Sequence, residues 1–161
     1  MLWHLAFNQL PKTNEQLVTG REDIFFGAEF DASGGTHKLP DDTVRYYIDT
    51  LKDPDHLRGS FEFYRAIPTT SAQNEQRKSR RLTMPVLALG GAESSGEGPG
   101  TTMKLVADDV QTVVLAGSGH WVAEQAPEQL LAALTAFLAP YRNEMTAAPN
   151  TEPQDAASVS R

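Results

Sequence analysis

The chain is 161 residues long, 40% apolar, with 12 glycines and no cysteine. That is the length and composition of one ordinary globular domain, and the missing cysteine excludes disulfides, thiolate metal sites and a cysteine nucleophile. A formal net charge of −7 argues against a nucleic-acid partner and against attraction to an anionic membrane surface. No apolar run approaches the roughly 20 residues that span a bilayer. The start, Met1-Leu2-Trp3-His4-Leu5, lacks the basic-then-apolar order of a signal peptide, so location stays unassigned, cytoplasmic by default.

Residues 13–80 read as helical and polar. Val44, Tyr47, Ile48 and Leu51 recur at helical spacing after Pro40-Asp41-Asp42, an acidic helix start. Asp53-Pro54 ends that helix, because a residue before proline is pushed out of the α region. A second helix is expected from His56 to Ile67, stopping at Pro68. Asp31 to Thr36 reads as a loop, and Ser71 to Arg81 as a charged helix or linker. The run Arg77-Lys78-Ser79-Arg80-Arg81 reads as a solvated face.

The second half changes character. Met84 to Leu89 ends in Gly90-Gly91, and Thr112 to Ala116 ends in Gly117. Both are short, continuously apolar runs between turn signals, the pattern of parallel strands buried on both faces. A helix-sized segment, Thr101 to Ala107, separates them, giving a βαβ unit. Pro127 opens an amphipathic helix whose stripe is Leu130, Leu131, Leu134, Phe137 and Leu138. From residue 142 onward little is left to bury, and a disordered tail is expected. Two such strands need neighbours and covering helices, so part of the sheet is inferred to be missing.

His120 follows the carboxyl end of the second strand, in Gly117-Ser118-Gly119-His120-Trp121. Ligands gather at those ends in open α/β sheets, and imidazole suits general-base work near neutrality. Position alone leaves open whether His120 is such a base or a loop histidine beside a packing tryptophan. His37 and His56 have no partner at ligand spacing, so no metal site is expected. Residues 91–100 are glycine-rich but lack the spacing of a phosphate loop, and read as a flexible loop.

Gly-Ser-Gly-His-Trp followed by Glu124, Gln125, Pro127, Glu128 and Leu130 resembles the histidine turn of α/β-hydrolases. Trp3-His4, Phe61-Glu62-Phe63-Tyr64-Arg65-Ala66, Gln73-Asn74 and Met84 to Gly91 resemble the epoxide hydrolases and haloacetate dehalogenases of that superfamily. The resemblance runs from about residue 2 to 140. It implies a partial α/β-hydrolase fold, in the α/β class: a helical cap in residues 1–80, the last two parallel strands and their helices in 81–141, an incomplete sheet, and a tail in 142–161. It also implies that His120 is the base that activates water. His4 and Tyr64 match the cap pair that donates hydrogen bonds to an epoxide oxygen or cradles a departing halide, where preorganised donors stabilise developing negative charge.

The sequence departs from the family where the nucleophile should be. No Asp or Ser lies on a Gly-x-[Asp/Ser]-x-Gly elbow. Ser118 sits between glycines at the wrong spacing, and no His-Gly-x-Pro stretch supplies oxyanion amides. Glu93 is the nearest candidate for an orienting acid, with a solvated loop carboxylate as the competing reading. Neither Ser94 nor Ser95 has the strained elbow of a serine esterase. The expectation is a hydrolase fragment, inactive alone, whose intact parent takes an epoxide, organohalide or ester with no cofactor. The competing reading is a non-catalytic module that self-associates, or pairs with a separately encoded half, through the open sheet edge.

Overall fold

The computed structural model describes residues 3–144. Six helices come first: α1 (Trp3–Asn8), α2 (Thr13–Val18), α3 (Glu22–Ser33), α4 (Asp41–Leu51), α5 (Pro54–Arg65) and α6 (Ile67–Arg77). A βαβ unit follows, with β1 (Val86–Gly91), α7 (Gly98–Met103) and β2 (Val110–Leu115), then α8 (Val122–Gln125) and α9 (Pro127–Glu144).

The capping chemistry explains several boundaries. Asp53 both ends α4 and caps α5: its carboxylate accepts the backbone N–H groups of Asp55 and His56, and Pro54 occupies the first helical position, where its missing N–H costs nothing. Pro68 acts in the same way. It was expected to close a helix running to Ile67, but α5 ends at Arg65 and Pro68 lies in the first turn of α6. The expected loop at 31–36 is shorter, because α3 runs on through Ser33. The segment read as a loop at 91–100 gives its last three residues to α7. The tail expected from residue 142 gives its first three residues to α9; residues 145–161 lie outside the described residues.

The helical half folds around aromatic side chains. Val18, Leu57 and Phe61 are buried together, with Phe7, Phe25 and Phe26 packed against them. Phe61 is the centre, fully buried and within 6.1–6.4 Å of the rings of Phe7, Phe25 and Phe26. Arg65 closes this half. Its guanidinium donates to the carbonyl oxygen of Leu10, to Asn14 and to the Glu15 and Glu62 carboxylates, a set that needs the planar fork of arginine.

β1 and β2 pair in parallel, Val86 opposite Val110 through Gly91 opposite Leu115. Each therefore has one hydrogen-bonded neighbour in a two-stranded sheet among the described residues. The burial expected on both faces is not reached: Val114 is 40% exposed. Much of the stripe of α9 is uncovered too: Leu131, Leu134 and Leu138 are exposed, while Leu130 and Phe137 are half-buried. The basic run at 77–81 is solvent-facing, but Arg81 is not idle. It pairs with Asp108 and donates to the carbonyl oxygens of Leu105 and Ala107, clamping the approach to β2.

Candidate functional site

The turn after β2 carries the site. Gly117 takes φ +67°, a left-handed conformation in which a side chain would be strained. The backbone then runs so close to the end of β1 that a Cβ on Gly91 would collide with the carbonyl oxygens of Ser118 and Gly119. The N–H of Glu93 donates to the Ser118 carbonyl (2.9 Å), so the ends of both strands fix this turn. Ser118 is fully buried beneath it, and His120 stands exposed at its tip. The His120 ring meets the Trp121 ring edge-on at 5.0 Å.

The helical half closes over this turn through the segment after α3. The backbone N–H of His120 donates to the Ser33 carbonyl (3.0 Å), and His37 Nδ1 lies 2.9 Å from the Gly117 carbonyl. Phe30 packs on Trp121 at 4.9 Å and stacks on Tyr47. The Tyr47 hydroxyl donates to Glu124 (2.6 Å). That carboxylate, by hydrogen bond and then by charge, raises the Tyr47 pKa above its ordinary value.

Between the halves lies a cleft of about 570 Å³, within the range of small-molecule sites. Its walls are aromatic, including Trp3, Phe25, Phe61 and Trp121. His4, Tyr64 and His120, far apart in sequence, all line it. The His4 and Tyr64 rings meet edge-on at 6.1 Å, and neither side chain spends a donor on a hydrogen bond among the described residues. Glu29, which sequence reasoning missed, also lines the cleft, with a carboxylate oxygen 3.6 Å from His4 Nδ1.

Glu93 lines the cleft but does not orient His120. Its carboxylate accepts the backbone N–H of Thr36. That contact with Thr36 holds its pKa below the ordinary carboxylate value, against the opposing effect of desolvation. The solvated-loop reading of Glu93 is also incomplete, because the carboxylate ties two loops together. Among the described residues no side chain hydrogen-bonds the His120 ring.

Two parallel strands with an intervening helix, a histidine turn at their carboxyl ends and helices folded over it define part of the α/β-hydrolase fold. Comparisons with known structures agree. The chain superposes on Cfl2 from Burkholderia cenocepacia with a TM-score of 0.77 at 29% identity, covering 84% of this chain and 47% of that one. It superposes on the epoxide hydrolase CorEH with a TM-score of 0.80 at 20% identity (88% and 51%). The Cif epoxide hydrolase from Acinetobacter nosocomialis gives 0.79 at 22% identity (84% and 44%). The chain thus spans about half the length of the solved structures it matches. No family model matches it, and no curated protein matches its sequence. No helix among the described residues is long and apolar enough to cross a membrane.

Proposed function

We propose that this chain is the base-and-cap portion of an α/β-fold hydrolase whose nucleophile lies outside it. The observation that carries the reading is the convergence of His4, Tyr64 and His120 on one aromatic cleft. The parent reaction has two steps. A carboxylate nucleophile opens an epoxide to an alkyl ester, and His120 then takes a proton from water as it attacks that ester, releasing the diol and the free carboxylate. His4 and Tyr64 donate to the oxygen on which negative charge develops during ring opening. A haloacetate is the alternative substrate, with the same pair holding the departing halide. Residues 1–80 act as the cap, and the aromatic walls favour an apolar substrate.

The purified 161-residue chain is expected to turn over neither an epoxide nor fluoroacetate. Joined to a nucleophile-bearing half, it is expected to gain turnover that His120→Ala abolishes and that His4→Ala or Tyr64→Phe lowers. Turnover by the chain alone, lost in His120→Ala, would overturn the assignment of the nucleophile to another segment.

A second reading is supported by the exposed leucines of α9 and by β1 having, among the described residues, one strand neighbour. Here the chain docks a separately encoded half along those surfaces. The coding region upstream discriminates. A continuous or frameshifted stretch holding a nucleophile elbow supports one broken enzyme, whereas an intact separate gene supports complementation.

A further inference from the structure

We propose that Gln125 is a positioning residue for His120, and that its side-chain amide also latches the segment after α3 to the histidine turn. This inference rests on the reading of His120 as the base.

The geometry is specific. The Gln125 side-chain oxygen accepts the backbone N–H groups of Gly119 and Trp121, both at 3.0 Å. These are the residues on either side of His120, so one oxygen brackets the histidine and fixes the plane of the turn. The amide nitrogen faces the other way, donating to the carbonyl oxygen of Gly34 (2.6 Å) and to that of His37. All four bonds need an amide: a carboxylate could keep only the first two, since it is acceptor-only when ionised. Gln125 is itself held at the end of α8, its backbone N–H donating to the Trp121 carbonyl (2.9 Å). His120 has no side-chain hydrogen bond among the described residues, so the placement of its ring depends on the backbone that Gln125 sets.

The test is NMR of the full chain, reading its four histidine imidazoles and the amide exchange of Gly119 and Trp121. The Trp121 ring, edge-on to His120 at 5.0 Å, gives the His120 protons a ring-current signature. In Gln125→Ala that signature is expected to collapse toward the solvated value, with Gly119 and Trp121 amides exchanging about tenfold faster, as loss of one such bond at each implies. In Gln125→Glu the His120 signature and both amides are expected to be retained while the His37 resonances move. An unchanged His120 signature in folded Gln125→Ala would overturn the proposal. Should Gln125→Ala fail to fold, Gln125→Glu decides alone: His120 retained with His37 displaced supports the assignment, and any other pattern overturns it. None of these readouts depends on turnover, so failure here leaves the hydrolase reading standing and is distinguishable from the failure of that reading, which turnover reports.

Discussion

Glu93 gives its carboxylate to the backbone N–H of Thr36 rather than to His120. A residue just past β1 is thereby tied to the segment that descends from α3, and the histidine turn is flanked by two such ties, this one and that of Gln125.

The Glu93 bond has a pH signature. Its pKa is lowered in the folded chain, first by the Thr36 backbone N–H. A carboxyl whose folded pKa lies below its unfolded value contributes stability above the unfolded value and loses it as pH falls through the folded one. Melting temperature against pH is expected to fall on the acid side of the ordinary glutamate range. Glu93→Gln is expected to reduce that acid-side slope and to lower stability at neutral pH. An identical slope in the variant would show that Thr36 does not stabilise the charged form.

Phe61 is the fully buried centre of the helical half. Phe61→Ala is expected to cost about 3–5 kcal/mol. The measurement is the midpoint of urea unfolding, followed by far-UV circular dichroism. A change under about 1 kcal/mol would mean that the aromatic cluster does not organise these helices.

Gly91 faces the backbone of the histidine turn with no room for a side chain. The Ser118 carbonyl cannot retreat without losing the bond that it accepts from Glu93. Gly91→Ala is expected to destabilise by about 3 kcal/mol or more and to move the His120 resonances. Gly59, where a Cβ would meet open space, is the control: Gly59→Ala, in the interior of α5, is expected to stabilise by about 0.5–1 kcal/mol.

Leu131 and Leu138 are 65% and 46% exposed on α9. The double variant Leu131→Glu with Leu138→Glu is expected to unfold within about 0.5 kcal/mol of the parent and to bind less of a dye that reports apolar surface. A large loss of stability would show that these leucines pack within the chain.

The strands, the βαβ unit, the helical character of the first half and the helices α4, α5 and α9 were legible because local patterns carry them: continuous apolar runs, helical spacing and proline boundaries. Pro68 was misread because a proline that cannot continue one helix is equally suited to open the next. The stripe of α9 was legible as apolar, but whether it is covered was not, because amphipathicity states what a helix has to bury and not whether a partner is present. His120 was singled out by its place after a strand, and His4 and Tyr64 by resemblance to a family; the spacing of the three in sequence says nothing of proximity. Gln125 stood in the same turn motif as His120, yet its role was invisible, since a glutamine there has no signature until its amide is seen between two backbones.

By itself, the sequence determined the α/β class, the histidine at a strand's carboxyl end and the missing nucleophile elbow, because each is a matter of local pattern or plain absence. Only the tertiary structure decided that three distant side chains share one cleft, that Glu93 serves a loop instead of the histidine, and that Gln125 joins the two halves. Those relations rest on long-range hydrogen bonds and packing between segments far apart in the chain, which no local pattern encodes.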